Sequence, residues 1–354
     1  GQWAFQEFVN PGGSNQGMLW EQTPPKVDGI RAGGTDFAWG ATKAPVEKTK
    51  DYLACKWAAD QLQRDFDGKP FFLALGISKP HLPWFVPQQF FDLYPLDKVI
   101  PVTIVRDDLE DIVDKSGKPI FKPDQRFLLA DKANLHKEAQ RAYMANISYV
   151  DFCLGVLFDA LEKSKYANNT IVMIWGDHGW HLSEKMKYGK TDLWEESARV
   201  PFIVSVPGVT TPNAKTDGVV NLLDMYPTLI ELCGLPKNAE NEGISFAPLL
   251  KNPKMKWNLP TLTTYQFKNH SLTDGRYRYT WYGGKANGSE ELYDHSDDPL
   301  EHNNLASNSK YKEIIAGFKK YLPNHDERDS PSNRLSGEDK KKMTKGKKKD
   351  KEEE

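Results

Sequence analysis

The chain has 354 residues, of which 39% are hydrophobic, 12% aromatic and 27% charged. This composition excludes disordered, collagen-like and disulfide-rich classes, and the length allows one large domain with an appendage or two domains. A formal net charge of −2 excludes a global field that attracts nucleic acid, so an anionic partner requires a local cluster of cations. We expect no nucleic-acid partner and, since no apolar run approaches the length of a bilayer, no membrane span.

The first predicted elements are a helix and a strand. Apolar residues from Tyr52 to Phe66 recur at intervals of three and four, which predicts a helix with one buried face. The continuous apolar run at 71–76 predicts a strand covered on both faces, and it leads into the loop of His81. Residues 95–135 are Pro-rich and charged, so we expect a long surface insertion there.

The middle of the chain repeats this alternation. Apolar positions over 143–161 predict a long helix, and buried strands are predicted at 171–175 and 202–206. A further helix over 222–232 ends before Gly234, the residue type that favours a helix C-terminus.

Strands that alternate with helices predict an α/β fold with a largely parallel sheet sandwiched by helices. The segments 71–76 and 171–175 are therefore expected to run parallel, with both following loops on one edge of the sheet.

The sequence changes in character after about residue 240. Short segments at 262–265 and 276–282 predict a small antiparallel α+β subdomain. Residues 326–354 hold two lysine triplets and almost nothing apolar, which predicts a disordered charged tail. We predict a first domain over 1–239, a C-terminal subdomain over 240–325, and the tail.

Three cysteines, Cys55, Cys153 and Cys233, lie far apart in apolar, helix-like surroundings. An odd number spread this widely does not make a disulfide framework. We predict that all three are buried free thiols.

Asp177 and His178 follow the second predicted strand in the segment WGDHGW. A carboxylate suits Ca²⁺ or Mg²⁺, and the neighbouring histidine suits Zn²⁺ or a hydrogen-bonding role. The alternative is structural, with Asp177 capping a turn and His178 packing locally. The dipeptide alone leaves both interpretations open.

Five segments in order resemble motifs of the type I sulfatases. The most diagnostic begins with GDHGWHLSE and continues through Lys187 and Lys190 to EESARVPFI. The other four lie within 79–83 (KPHLP), 143–155, 224–234 and 291–305. The resemblance covers about residues 50–306 and is nearest the iduronate-2-sulfatase-like subgroup.

The resemblance implies an alkaline-phosphatase-like fold and a divalent ion, usually Ca²⁺ with Mg²⁺ possible. It also implies sulfate-ester hydrolysis by a formylglycine, which a formylglycine-generating or equivalent maturation enzyme makes from Cys or Ser. By motif, Asp177 and His178 would be metal ligands. Lys190 would hold the sulfate oxygens, and His81 would contact the sulfate and protonate the leaving alcohol. Three weaker candidates for substrate binding are Lys79, Trp180 and Lys187.

Each catalytic candidate also has a structural interpretation. His81 lies between two prolines and would then be a structural histidine, and Lys190 would be one of several solvated lysines.

The chain departs from the family in one respect. The nucleophile motif, Cys or Ser followed by x-Pro-x-Arg, does not occur in its 354 residues, nor does the early strand that ends in paired aspartates. We therefore interpret the first domain as a partial catalytic domain and expect this chain alone to be inactive.

The resemblance also implies a periplasmic, secreted or lysosomal location and a role in polysaccharide degradation. The chain itself opens at Gly1 without a signal peptide. The leading hypothesis is a sulfatase that acts on a sulfated sugar or polysaccharide. The alternatives are a phosphodiesterase or phosphonate hydrolase of the same superfamily, and a non-catalytic module that binds sulfated glycans.

Overall fold

A computed structural model describes residues 37–284 and 288–326. The chain forms two compact units. The described part of the first runs to Arg106 and continues through Lys122–Lys190 and Val200–Ala214. The second contains Asp107–Phe121, Thr191–Arg199 and the described residues from Lys215 onward. The predicted domain bounds remain predictions, and apart from Asp326 the predicted tail lies outside the described residues.

The described part of the first unit has six strands and four helices. They are β1 (Trp39–Thr42), α1 (Lys50–Gln61), β2 (Trp84–Pro87), α2 (Gln88–Asp92), α3 (Gln125–Lys132), α4 (His136–Glu162), β3 (Val172–Trp175), β4 (His181–Leu182), β5 (Tyr188–Gly189) and β6 (Phe202–Ser205). Short 3-10 helices lie at Val46–Lys48, Leu96–Lys98 and Glu184–Met186.

The two long predicted helices are confirmed as α1 and α4, which pack against each other. Small buried side chains on both helices, such as Ala58 and Ala142, allow the backbones to approach closely. In the described part of the chain, α4 is also the one helix that is long and apolar enough, by length and composition alone, to cross a membrane. Its buried face carries the polar residues Gln140 and Asn146.

The strand predictions are confirmed for 171–175 and 202–206, but the pairing differs from the prediction. β3 and β6 are antiparallel, with Trp175 opposite Phe202; the parallel pair is β1 with β2. The predicted strand at 71–76 is wrong, since within the described residues it belongs to no β-ladder. Phe72 is 72% exposed, so the apolar run is not covered on both faces and does not run in a sheet with β3.

The described part of the second unit contains four helices and the predicted antiparallel sheet. They are α5 (Glu195–Ala198), α6 (Met225–Leu232), α7 (Ala247–Lys251), β7 (Thr261–Thr264), β8 (Asn269–Thr273), β9 (Tyr277–Tyr282), β10 (Ser289–Asp294) and α8 (Lys312–Lys319). The helix predicted over 222–232 is confirmed as a 3-10 turn, Leu222–Asp224, followed by α6, and Gly234 takes a left-handed φ of 64°.

The sheet of the second unit has the strand order β10-β9-β8-β7, and every pair is antiparallel. Leu272, Tyr279 and Leu292 form the centre of its core, and α8 adds Ile315 and Phe318. The fold class is thus α/β with a small antiparallel sheet towards the C-terminus, as predicted.

Candidate active site

Asp177 and His178 follow β3 directly. The backbone N–H of Gly176 donates to the carbonyl oxygen of Pro201 at 3.1 Å, which continues the contact between the two strands beyond Trp175. A Cβ on Gly176 would lie 3.3 Å from Val200, so the tight approach favours glycine here. The carboxylate of Asp177 is 86% exposed, whereas His178 is only 32% exposed.

The hydrogen bonds of His178 indicate which ring nitrogen is available. Nδ1 lies 2.8 Å from the carbonyl oxygen of Gly179, which is only an acceptor, so Nδ1 carries the proton. Nε2 therefore offers a lone pair, and Nζ of Lys190 lies 2.6 Å from it. The Asp177 carboxylate lies 3.6 Å from the same nitrogen. The carboxylate of Asp177 and the ammonium of Lys190 thus both lie close to Nε2 of His178.

Lys190 and Lys187 are positioned by the short hairpin of β4 and β5, in which His181 pairs with Gly189 and Leu182 with Tyr188. Asp124, the N-cap of α3, accepts from the backbone N–H of Tyr188 at 3.3 Å. From α4, the side-chain amide of Gln140 donates to the carbonyl oxygen of Leu182 at 2.7 Å. Each arm of the hairpin is therefore held by a helix.

The hairpin backbone is strained. Four non-glycine residues between its arms and just after it have positive φ: Ser183 (104°), Lys185 (50°), Met186 (46°) and Thr191 (72°). A positive φ costs a non-glycine residue conformational energy. It persists only where surrounding contacts hold the backbone in place, which is common at functional sites.

Trp180 lies beside the cations. Its ring centroid is 5.9 Å from Nζ of Lys190 and 6.0 Å from Cζ of Arg126, distances suited to cation–π attraction. The ring also meets Trp84 edge-on, with centroids 6.2 Å apart. Because Trp84 ends the loop of His81, this contact brings that loop beside the segment of Asp177 and His178.

The loop that carries His81 is held by Asp51, which is buried in the first turn of α1. Its carboxylate accepts from the backbone N–H groups of Ser78 (2.9 Å) and Lys79 (3.0 Å). The indole N–H of Trp84 donates to the carbonyl oxygen of Pro80 at 2.8 Å. The peptide bonds before Pro80 and Pro83 are cis.

His81 and Lys79 differ in exposure. His81 is exposed, and its Nδ1 lies 2.7 Å from the carbonyl oxygen of Leu82, so Nε2 is the ring nitrogen that faces away from the backbone. Lys79 donates to the carbonyl oxygen of Pro83. Burial lowers the pKa of Lys79 to about 8, and the charge of Asp51 opposes this shift. The side chain of Lys79 is thus half-buried and held against its own loop by the bond to Pro83.

The geometry groups four of the predicted residues, Asp177, His178, Trp180 and Lys190, and puts the loop of His81 and Lys79 next to them. Lys187 lies in the same hairpin. The sequence analysis missed three residues that build this region: Asp51, Asp124 and Arg126. Asp124 had a recognisable signal, because an aspartate before an apolar-periodic segment is an N-cap pattern.

A second group of possible metal ligands lies in the second unit, where atoms of Glu195, His295 and Glu301 come within 4.8 Å of one another. The guanidinium of Arg278, however, pairs with both carboxylates. Burial alone would raise the pKa of Glu195, but the charge of Arg278 makes the net shift downward. Arg278 already supplies the cation, so we interpret this group as a structural ion-pair network.

Comparison with known proteins shows the family of the chain. A family model described as Sulfatase matches residues 5–235. The chain belongs to the sulfatase family. A second model, described as the C-terminal region of N-sulphoglucosamine sulphohydrolase, matches residues 176–328.

Two relatives are similar to this chain over most of its length. A sulfatase of Formosa agariphila is 36% identical over 294 residues, which is 82% of this chain and 57% of the relative. Mouse iduronate 2-sulfatase is 26% identical over 70% of this chain and 59% of the relative. The chain thus spans somewhat more than half the length of these sulfatases.

A solved structure shows the same fold. The phosphonate monoester hydrolase of Agrobacterium radiobacter has a TM-score of 0.67 at 18% identity, over 85% of this chain and 63% of that one. This likeness confirms the alkaline-phosphatase-like fold class that the motifs implied.

Proposed function

We propose that this chain supplies the metal- and sulfate-binding side of a sulfuric ester hydrolase that removes sulfate from a sulfated sugar or polysaccharide. The contact between Lys190 and His178 beside the exposed carboxylate of Asp177 carries this proposal. In this arrangement the ammonium of Lys190, which would bind sulfate oxygens, lies next to Asp177 and His178, which would bind a divalent ion. Family membership and the similarity to a sulfatase named for iduronate support the substrate class.

Asp177 and His178 suit a divalent ion, Ca²⁺ or Mg²⁺, because an exposed carboxylate and an unprotonated Nε2 lie 3.6 Å apart. When bound, such an ion would withdraw charge from the sulfate oxygens. The two residues alone provide only part of the six to eight ligands that Ca²⁺ takes, so we expect weak binding by this chain.

The remaining roles fall to side chains of the same region. Lys190 would hold the sulfate oxygens, and Lys79, Lys187 and Trp180 would line the substrate. His81 would donate a proton from Nε2 to the departing alcohol oxygen when its ring is doubly protonated, since Nδ1–H is already bonded to Leu82.

The attacking group would be a formylglycine made by a maturation enzyme. Its motif does not occur in the 354 residues, so the purified chain alone is expected to release no sulfate. The family relation favours a periplasmic, secreted or lysosomal setting and polysaccharide degradation as the process.

The test is an assay of the complete translation product that contains this chain, with a sulfate ester and a phosphonate monoester as rival substrates. We expect a higher kcat/KM for the sulfate ester and a loss of about a hundredfold or more in Lys190→Met. A preference for the phosphonate would instead support the phosphonate hydrolase, whose structural likeness motivates that alternative. Sulfated-glycan binding without hydrolysis would support the binding module.

His81 is tested by the leaving group. His81→Ala should slow hydrolysis of a sugar sulfate far more than that of 4-nitrophenyl sulfate, because nitrophenolate departs without a proton. An equal loss on both substrates would contradict the role of His81 as an acid. His325→Ala, which changes a histidine of the second unit, serves as the matched control.

A further inference from the structure

Tyr188 lies two residues before Lys190 in the chain, and it is held through each of its polar groups. Its backbone N–H donates to Asp124 at 3.3 Å, and its carbonyl oxygen accepts from Nη1 of Arg126 at 3.3 Å. Its hydroxyl oxygen lies 3.0 Å from Nδ1 of His136. The side chain is fully buried, so this third contact lies inside the first unit.

His136 is the first residue of α4, and it joins this hydroxyl to a carboxylate in the last turn of α3. Nε2 of His136 lies 3.2 Å from Oδ1 of Asp131. Asp131 in turn accepts from Nη1 and Nη2 of Arg106 at 2.8 and 2.7 Å. The four side chains therefore form one continuous chain of hydrogen bonds, from an exposed guanidinium to the buried hydroxyl of Tyr188.

The carboxylate fixes the direction of these bonds. The hydrogen bond from Arg106 holds the pKa of Asp131 below its usual value, so the carboxylate is ionised and only accepts. Nε2 of His136 therefore carries a proton, and Nδ1 of the neutral ring offers a lone pair. Burial raises the pKa of the Tyr188 hydroxyl, so this hydroxyl keeps its proton and donates to Nδ1. Asp131 thus orients the imidazole, and the imidazole holds Tyr188.

The hairpin of β4 and β5 has few hydrogen bonds of its own, because each strand is only two residues long. Lys185 and Met186, which precede β5, both have a positive φ, and such backbone needs contacts from outside to hold it. The bond from the Tyr188 hydroxyl to α4 is one of these contacts. It therefore helps to set the position of Gly189 and Lys190, which follow in the chain.

We propose that His136 is a positioning residue for the sulfate-binding lysine. Oriented by Asp131, it fixes the Tyr188 hydroxyl and thereby the backbone from which Lys190 reaches the sulfate. This inference rests on the proposed function, and it adds to that site a residue that touches neither the ion nor the substrate. Loss of the contact would let the hairpin relax, so the Lys190 ammonium would meet the sulfate oxygens in a smaller fraction of molecules.

The test is a double-mutant cycle in the complete translation product that contains this chain, with kcat/KM for a sulfate ester as the readout. Tyr188→Phe removes only the hydroxyl, and we expect kcat/KM to fall about tenfold, as for the loss of one buried hydrogen bond. In a Lys190→Met background the same substitution should change kcat/KM by less than about twofold, since the lysine that it positions is absent. A purely structural role would lower kcat/KM by the same factor in both backgrounds.

Two substitutions test His136 itself. His136→Ala should match Tyr188→Phe, and His136→Gln should recover part of the loss, because an amide offers a donor and an acceptor on one planar group. The matched control is Tyr166→Phe, which removes a buried tyrosine hydroxyl that donates to the carbonyl oxygen of Arg64 at 2.9 Å. Tyr166 precedes β3, at the opposite end of that strand from Asp177, so this variant should lose stability but keep its kcat/KM.

Thermal unfolding of each variant shows that it is folded before its kcat/KM is compared, and His136→Ala takes the place of Tyr188→Phe in the cycle if the latter does not fold. An unchanged kcat/KM in both variants, or an equal loss with and without Lys190, would overturn the positioning role and leave the proposed function intact. A wild-type protein that hydrolyses no sulfate ester would instead contradict the proposed function, and the positioning role with it.

Discussion

Nζ of Lys190 lies 2.6 Å from Nε2 of His178, the ring nitrogen that carries the lone pair. A lysine ammonium has only donors, so the imidazole is the acceptor in this contact. A divalent ion held by His178 would need the same lone pair. The ammonium and the ion therefore compete for one atom, and binding of the ion would release Lys190 towards an anionic substrate.

This competition predicts opposite effects of two substitutions on Ca²⁺ affinity. Lys190→Met should strengthen Ca²⁺ binding, because no ammonium occupies the lone pair, and Asp177→Asn should weaken it. Titration calorimetry of the chain measures both, against an expected wild-type dissociation constant of about 10⁻⁴ to 10⁻³ M. Asp159→Asn, on the exposed face of α4, should change nothing. Weaker Ca²⁺ binding in Lys190→Met would contradict the proposed competition.

Asp51 is predicted to stabilise the loop of His81. Asp51→Ala leaves the N–H groups of Ser78 and Lys79 without their acceptor, so the free energy of unfolding in urea should fall by about 2–4 kcal/mol. Asp51→Asn keeps one carbonyl acceptor and should lose roughly half as much. Asp60→Ala is the control, since Asp60 is exposed on the same helix. Equal, small losses in Asp51→Ala and Asp60→Ala would show that the loop does not depend on Asp51.

Lys79 predicts a pH dependence of stability. Burial lowers its folded-state pKa to about 8 from a usual 10.5, so between these values the unfolded chain binds more protons. The free energy of unfolding should therefore rise with pH in that window, by up to roughly 1.4 kcal/mol per pH unit. Below pH 8 the contribution of Lys79 is constant and unfavourable.

The measurement is the stability difference between wild type and Lys79→Met from pH 7 to 10. The variant lacks the buried ammonium, so its advantage over wild type should shrink as the pH rises. Lys69→Met, at an exposed site, should give a flat difference. A flat difference for Lys79→Met as well would mean that the folded pKa of Lys79 is not lowered.

The cysteines should react at two rates. Cys55 and Cys153 are buried, and burial raises the pKa of each thiol to about 12, whereas Cys233 is exposed at the C-terminal end of α6. At pH 8 a thiol reagent should label one cysteine quickly and the other two only after unfolding. Cys233→Ser should remove the fast phase. Fast labelling of more than one thiol in the native chain would contradict the burial of Cys55 and Cys153.

The sequence prediction was correct for two of the three cysteines and wrong for Cys233. All three thiols are free, as predicted. The prediction of burial at Cys233 came from its apolar helix, but α6 ends at Leu232. Cys233 is the residue after the end of the helix, and a periodic pattern does not locate a helix end to within one or two residues.

Long amphipathic helices were predictable because their apolar period is set by one buried face, as in α1 and α4. The pairing of strands was not. The sequence shows that a run such as 71–76 or 202–206 is apolar. Whether that run pairs with another strand, and whether the pair is parallel or antiparallel, depends on residues that are distant in the sequence. β3 pairs with β6 in antiparallel fashion, although a largely parallel sheet was predicted.

The candidate site also has a part that the sequence predicted and a part that it did not predict. Asp177, His178 and Lys190 belong to a motif that is continuous in the sequence, and they come together through the strand end and the hairpin. Asp51 and Arg126 lie in other elements and reach the region only through tertiary packing. No local pattern links them to His81 or Trp180, so the sequence alone did not point to them.

The central claim is that one ion and one sulfate meet at the end of β3. The most direct measurement is a crystal structure of the chain grown with Ca²⁺ and a sulfated monosaccharide. We expect the ion about 2.3–2.6 Å from an oxygen of Asp177, and sulfate oxygens about 2.7–3.2 Å from Nζ of Lys190, which has moved off Nε2 of His178. A structure with both ligands bound away from Asp177 and Lys190, or with Lys190 still on His178 and the sulfate elsewhere, would contradict the account.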